Sequence, residues 1–159
     1  MKINVLKAKK EDYQSFLKIF KESEVKHRLG IPWRYKKPTS ETFLKKDFEK
    51  MLKDKDCKFF LAKKEKELVG YIIIYKKETP KTIILKPRKI IFINDLSVKK
   101  GQKRIGIGSL LMKKAESWAK ENKINEIELN VFSFNEEAIN FYEKGGYKPY
   151  TQVMRKVIK

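Results

Sequence analysis

Residues 94–119 read NDLSVKKGQKRIGIGSLLMKKAESWA and change character twice along their length. They leave an apolar run, cross a basic loop with three glycines, and enter a segment with helical periodicity. A strand that leads through such a loop into a helix directs backbone N–H groups and the positive end of the helix dipole into one concavity. Gly106 and Gly108 permit close approach of an anion, and Lys103 and Arg104 add positive charge.

The loop departs from two common nucleotide-binding motifs. The dinucleotide pattern G-x-G-x-x-G needs a third glycine, and Leu111 occupies that position. The Gly-Lys-Ser/Thr ending of nucleotide triphosphatase loops does not follow Gly108 either. From this loop alone, an anion site and a simple tight turn are equally supported, because glycine is common in turns.

The rest of the chain predicts an alternation of strands and helices. Runs of aromatic and β-branched residues predict strands over 1–8, 58–64, 68–76, 89–98, 126–132 and 147–157. Apolar residues three and four apart predict helices over 9–22, from Thr39 or Ser40 onward, from Gly106 onward and over 135–144. We therefore expect a mixed α/β fold of about six strands and about four helices, in which a crossover helix joins a parallel or splayed strand pair.

The composition is that of a folded and strongly basic protein. Its 159 residues are 41% hydrophobic, which suits one domain over residues 1–159 with a single core. Lys and Arg outnumber Asp and Glu by 39 to 20, and the resulting charge of +19 attracts polyanions. Because the lysines are interleaved with acidic residues, a solvated surface is favoured over a dedicated nucleic-acid face.

The sequence argues against a metal centre and a membrane span. Cys57 and His27 are the only cysteine and histidine, so an intramolecular disulfide and a cysteine-based metal site are excluded. The apolar runs are too short to cross a bilayer, and the N-terminus lacks an apolar signal segment. We expect a cytoplasmic protein, with Cys57 as an ordinary semi-buried residue rather than a nucleophile.

Two blocks of the sequence resemble the signature of the GNAT superfamily of N-acetyltransferases. LSVKKGQKRIGIGSLLM, residues 96–112, is similar to a strand ending followed by Gln/Arg-x-x-Gly-x-Gly/Ala and a helix, with Lys103 at the Gln/Arg position. LNVFSFNEEAINFYEKGGYKP, residues 129–149, resembles the downstream block, in which an Asn opens a helix and a Tyr precedes a Gly-aromatic ending. The matching positions of this block are Asn135, Ala138, Tyr142, Gly146 and Tyr147.

This resemblance implies a mostly antiparallel GNAT-like sheet and direct transfer of an acetyl group from acetyl-CoA to a primary amine, without a covalent acyl-enzyme. The strand would pair with the pantetheine arm of the cofactor, and the loop amides would bind its pyrophosphate, so that the thioester is positioned. The cofactor-binding residues that the resemblance implies are Leu96, Ser97, Val98, Lys103, Arg104, Ile105, Gly106, Ile107, Gly108, Ser109, Asn135 and Tyr142.

The resemblance assigns a catalytic acid and leaves the base open. Tyr142 matches the family's general acid, which protonates the departing thiolate, and a core aromatic beside Phe141 is the alternative role. Many family members carry a basic Glu on the strand before the loop. Asn94 fills that position here and cannot act as a base, so Asp95 or a water chain becomes the candidate. A turn or bulge role for Asp95 stays open.

The amine acceptor is the least defined part of the prediction. Small amines, peptide N-termini and lysines all fit, although the charge of +19 disfavours a polyamine unless an acidic pocket overrides it. We expect the acceptor pocket at the N-terminal helices and the loop over 23–38. The conspicuous side chains of that loop are His27, Trp33, Arg34 and Tyr35.

One alternative is a second enzyme activity, the transfer of a longer acyl group from an acyl-CoA, which the sequence does not separate from acetyl transfer. Another alternative has a different function class. A basic nucleic-acid- or ribosome-binding module with a GNAT-like fold and no catalysis would bind nucleic acid in a salt-sensitive way and would not need Tyr142. Pairing of two chains into a homodimer through an exposed C-terminal strand also stays open.

Overall fold

A computed structural model describes residues 2–158 and contains one five-stranded sheet with helices on both faces. The strands are β1 (Ile3–Lys7), β2 (Cys57–Lys64), β3 (Glu67–Glu78), β4 (Lys89–Val98) and β5 (Ile127–Leu129). The helices are α1 (Tyr13–Gly30), α2 (Lys45–Lys53), α3 (Ile107–Glu121) and α4 (Glu136–Lys144), and a 3-10 turn at Lys10–Asp12 precedes α1. None of the helices within residues 2–158 combines the length and apolar character that a bilayer crossing requires.

The strands follow the chain order across the sheet. β1 to β4 pair antiparallel, whereas β4 and β5 run parallel and are joined by α3. The parallel pairing involves only Ile91 to Ile93 against Ile127 to Leu129, so the two strands separate beyond Ile93. The expected mixed sheet with a splayed parallel pair is confirmed.

Alternating side chains of β3 divide the core into two layers. Ile72 and Ile74 are fully buried beneath α3, and α4 packs at the border of this layer. Tyr71 and Ile73 point to the opposite face, where α1 and α2 cover the sheet with a cluster of aromatic rings around Phe16. Because both faces of β3 are covered over this stretch, the strand is uncharged from Leu68 to Tyr75.

The N-terminal helices differ from the prediction. α1 continues to Gly30, so His27 lies on a helix and not in the predicted loop. The last turns of α1 are polar and lack the apolar stripe that predicted its first part. They pack against the segment after β5, where the Phe134 ring lies so close to Gly30 that a Cβ atom at this position would be 2.4 Å from the ring. α2 begins at Lys45 after Leu44, because Thr39 forms a local turn in which its N–H donates to Thr42 Oγ1.

The C-terminal part also departs from the prediction. β5 covers Ile127–Leu129 and not 126–132, and the strand predicted over 147–157 is not formed. Within the described residues, 148–158 make no backbone hydrogen bond, and Val153 and Met154 are 94% and 88% exposed. A segment rich in β-branched and aromatic residues favours the extended conformation, but a strand forms only when its backbone also pairs with the edge of another strand. The sheet therefore has five strands, one fewer than expected.

Candidate active site

An opening between β4 and the chain after β5 is the central feature of the site. Residues 95–98 of β4 pair with β3 alone, because the pairing with β5 stops at Ile93. A bulge lies at Asn94, since Ile74 pairs with Ile93 and Ile73 with Asp95. In the described part of the chain, the backbone edge of Leu96, Ser97 and Val98 that points away from β3 is thus unpaired.

The loop after β4 presents hydrogen-bond donors at the start of α3. Gly106 caps the helix with a φ of 86°, a left-handed conformation that favours glycine. Within residues 2–158, no backbone N–H from Gly106 to Ser109 donates to a protein acceptor. Arg104, Ile105 and Ser109 are exposed, while Ile107 is buried beneath them. Free donors at the positive end of a helix dipole form the geometry of an anion site.

The two glycines of this loop have different structural roles. A Cβ atom at Gly106 would meet nothing within 4 Å, so its backbone conformation is what requires glycine. A Cβ atom at Gly108 would lie 3.0 Å from the Phe141 ring. Gly108 therefore allows α4 to pack closely against the first turn of α3, a role that sequence reasoning missed.

Lys103 is bound in an ionic network that joins the loop, α1 and α4. Its Nζ lies 2.6 Å from Glu137 Oε2, and Lys26 Nζ lies 3.2 Å from the same oxygen. Lys26 also donates to Asn135 Oδ1 at 2.7 Å, and this oxygen caps α4 by accepting from the Ala138 N–H. The hydrogen bond from Lys103 holds the pKa of Glu137 below its usual range. The cap role of Asn135 was predicted, whereas Lys26 and Glu137 were missed.

Asp95 lies just beyond the bulge and is held by a fully buried tyrosine. The Tyr71 hydroxyl donates to Asp95 Oδ2 at 2.7 Å. Burial is the main cause that raises the pKa of Asp95, to a net value of about 6. The Tyr71 hydrogen bond, His27 and the Leu96 backbone lower this pKa, and the charge of Glu24 raises it. A carboxylate with this pKa is ionised at neutral pH and is still basic enough to accept a proton.

Tyr142 lies on α4 with its ring against Phe141 and Tyr147, at centroid distances of 5.3 and 5.8 Å. Burial raises the pKa of Tyr142 well above its ordinary value, and the negative charge of Asp95 raises it further. The phenol is therefore protonated at physiological pH, which is the state that a proton donor needs.

A cluster from α1, the following loop and the segment after β5 lies within electrostatic range of Asp95. The His27 ring is 5.3 Å from the Tyr35 ring and 5.5 Å from Phe132, and His27 Nδ1 is 2.9 Å from Glu24 Oε1. Arg34 lies over Phe132 at 5.8 Å. The structure thus brings together His27, Arg34 and Tyr35 as expected, and adds Glu24 and Phe132, which the sequence analysis missed.

Two other side chains that the sequence analysis discussed, Trp33 and Cys57, lie outside this cluster. Trp33 is 58% exposed and stacks with Arg155 of the C-terminal segment at 3.8 Å. Cys57 is the first residue of β2 and is buried, and this burial raises the pKa of its thiol to about 11. The thiol therefore stays protonated and is a poor nucleophile.

Among residues 2–158, no group of three His, Cys, Asp or Glu side chains could hold a metal ion.

Comparison with known proteins relates this geometry to one family. The family model described as the acetyltransferase (GNAT) family matches residues 17–147, which is most of the chain. The chain belongs to the GNAT acetyltransferase family. No curated protein matches this GNAT chain significantly.

Solved structures agree with this assignment. A Pyrococcus furiosus protein, named as an acetyl transferase, is 31% identical and superposes with a TM-score of 0.71 over 99% of this GNAT chain and 100% of its own. A tetramutant of a Bacillus halodurans protein is 24% identical, with a TM-score of 0.91 over 98% of this chain and 99% of its own. The aminoglycoside N-acetyltransferase AAC(6')-Iy, solved with CoA, is 11% identical, with a TM-score of 0.74 over 99% of this chain and 95% of its own. The last two likenesses show a shared fold.

Proposed function

We propose that this GNAT protein transfers an acetyl group from acetyl-CoA directly to a primary amine. The observation that carries the proposal is the unpaired edge of β4 at 96–98, which leads along the chain to the free N–H groups of Gly106 to Ser109. Pantetheine is an extended chain with two amides, and it can hydrogen-bond to a free strand edge. Its pyrophosphate needs clustered donors, and the start of α3 supplies them.

The proposed contacts divide along the cofactor. Backbone groups of Leu96, Ser97 and Val98 pair with the pantetheine arm, and the amides from Arg104 to Ser109 bind the pyrophosphate. Lys103 adds positive charge once it leaves Glu137, which is an exposed and exchangeable partner. Asn135 and Tyr142 face the arm from α4.

Two side chains of the chain perform the proton transfers of the proposed reaction. Asp95 accepts a proton from the acceptor ammonium, directly or through water, and the neutral amine attacks the thioester carbonyl carbon. Tyr142 donates its proton to sulfur as the carbon–sulfur bond breaks. After the attack, the nitrogen gives up its second proton, which returns to the Tyr142 phenolate, and Asp95 releases its proton to solvent. The products are therefore an acetylated amine, CoA with a free thiol, and one proton in solution. The main contribution of the remaining contacts is orientation of the two reactants.

The acceptor is a small amine, a peptide N-terminus or a lysine in this proposal. Glu24 and Asp95 supply local negative charge within a chain of net charge +19, so a cationic amine is not excluded from the site. Aminoglycosides belong in a first acceptor screen, because AAC(6')-Iy shares the fold and is named for acting on them.

The test compares acetyl-CoA binding by the wild type, Ser109→Glu and Ser117→Glu in calorimetric titrations. Ser109 is exposed in the first turn of α3, where Glu favours the helix dipole but repels a pyrophosphate. We expect micromolar binding by the wild type and at least about a tenfold loss in Ser109→Glu without loss of thermal stability. Ser117→Glu, the same change on an exposed position of the same helix, should bind like the wild type.

The outcome also separates the two function classes. If the folded wild type fails to bind acetyl-CoA and instead binds RNA in a salt-sensitive way, the acetyltransferase proposal is rejected in favour of the binding module. Binding by the wild type would be followed by an assay of thiol release with a panel of primary amines.

A further inference from the structure

The hydroxyl group of Tyr71 is not explained by packing. Tyr71 exposes none of its surface, and its ring packs against Phe16 and Phe59 at centroid distances of 4.9 and 6.0 Å. A phenylalanine would fill this space equally well. Burying a hydroxyl is unfavourable unless it finds a hydrogen-bond partner, and the partner here is Asp95 Oδ2 at 2.7 Å.

The sheet holds the two side chains in a fixed relationship. Tyr71 pairs in register with Ser97, and Asp95 pairs with Ile73, so Tyr71 and Asp95 are diagonal neighbours on adjacent antiparallel strands. Both side chains point to the α1 face of the sheet. The bulge at Asn94 sets this register, because without it the side chain of residue 95 would point to the other face.

We propose that Tyr71 is a positioning residue for the general base, and that its hydroxyl holds Asp95 Oδ2 so that proton transfer falls to Oδ1. This inference rests on the proposed function, in which Asp95 takes the proton of the acceptor amine. Tyr71 itself is too deeply buried to touch the substrate and acts through Asp95.

Charged and titratable groups from several elements face Asp95. They are Tyr71 from β3, Glu24 and His27 from α1, Tyr35 from the loop after α1, and Tyr142 from α4. Glu24 is negative and raises the pKa of Asp95, whereas Tyr71 and His27 lower it. Within this set, Tyr71 is the group that donates a hydrogen bond to the carboxylate, so its removal should raise the pKa of Asp95.

The test compares Tyr71→Phe with Tyr13→Phe. Tyr13 is a matched control, because it is buried in the same core cluster and its hydroxyl donates to a different acceptor, the Phe43 carbonyl oxygen, at 2.6 Å. We expect the acid limb of the kcat/KM profile to move upward by about one pH unit in Tyr71→Phe. The profile of Tyr13→Phe should superimpose on that of the wild type, although both variants lose similar stability.

A carboxyl titration by carbon-13 NMR gives a second readout that needs no turnover. Asp95→Asn assigns the Asp95 signal, and this signal should titrate at higher pH in Tyr71→Phe than in the wild type or Tyr13→Phe. An unshifted Asp95 signal overturns the inference. A shifted signal together with full activity of Asp95→Asn would show that the contact is real but that Asp95 is not the base, which overturns the positioning role and separates its failure from that of acetyl transfer itself.

Discussion

At the scale of single residues, the site depends on side chains whose surroundings move their protonation away from ordinary behaviour. Asp95 is the clearest case, because burial raises its pKa to about 6 while Tyr71 keeps its carboxylate hydrogen-bonded. Burial raises the pKa of Tyr142, and the negative charge of Asp95 raises it further. One residue thus becomes more basic and the other remains an acid, which is the division of roles that acyl transfer to an amine requires.

Asp95→Asn should make the protein more stable and less active. The raised pKa means that, between pH 3.8 and about 6, the folded protein retains a proton that the unfolded chain has released, so folding stability falls as the pH rises through this window. Asn can still accept the Tyr71 hydrogen bond. We expect the free energy of unfolding at pH 8 to increase by about 1–3 kcal/mol in urea denaturation, and kcat/KM to fall by about 10²-fold or more.

The stability difference should disappear near pH 3.5, where Asp95 is protonated in the wild type and resembles Asn. A variant that is less stable than the wild type at pH 8 would contradict the assignment of a buried, ionised carboxylate whose charge is unfavourable at this position.

At the scale of elements, the candidate cofactor site lies where three of them meet. The start of α3 supplies free N–H groups, the end of β4 supplies an unpaired edge, and α4 closes against α3 through the Phe141 ring at Gly108. Glu137 at the start of α4 binds Lys103 and Lys26. A polyphosphate that binds the Lys103 ammonium group must compete with the Glu137 carboxylate for it.

Glu137→Gln should strengthen acetyl-CoA binding. Removing the carboxylate releases Lys103 and Lys26 for the pyrophosphate, and we expect the Kd measured by calorimetry to fall by roughly three- to tenfold. Glu136→Gln is the matched control, since it is the neighbouring exposed residue of the same first turn and removes the same charge from the helix dipole. Equal effects in both variants would assign the gain to net charge and not to the release of Lys103.

At the scale of the whole molecule, the charge of +19 and the sheet edge at β5 are the features left outside the site. The positive field favours the approach of any anion, including a polyphosphate, and it needs no nucleic-acid partner to be useful. Pairing of two chains stays a prediction, for which the free edge of β5 and the exposed residues 148–158 are the relevant surfaces.

Raising the salt concentration should weaken the use of acetyl-CoA without slowing the chemical step. Between 0.05 and 0.5 M NaCl, attraction between exposed charges is screened, so we expect KM for acetyl-CoA to increase by about three- to tenfold while kcat stays within about twofold. Initial rates at saturating amine check this. A parallel loss of kcat would instead indicate that the ion pairs around Glu137 maintain the active geometry.

Local patterns in the sequence were sufficient to predict the five strands and four helices that are formed, although they also predicted a strand over 147–157 that is not. They predicted as well the loop before α3 at which the cofactor site is proposed. The apolar run of β4, the glycines before α3 and the cap at Asn135 act over a few residues, and their periodicity or turn chemistry is visible without a partner. The loop residues also carry the family resemblance, whereas the splayed strand pair was predicted from the strand-helix-strand order.

The acceptor side of the site depends on contacts between distant parts of the chain. Tyr71 contacts Asp95 because of the register between β3 and β4 and the bulge at Asn94. Lys26 of α1 contacts Glu137 of α4, which is far from it in the sequence. His27 joins the cluster because packing extends α1 past the end of its apolar stripe. The β-rich segment over 147–157 stays without strand partners for the complementary reason. Hydrogen bonds and burial stabilise a strand or a helix turn only when another part of the protein packs against it. Where that other part lies is decided by the tertiary structure and not by the local sequence.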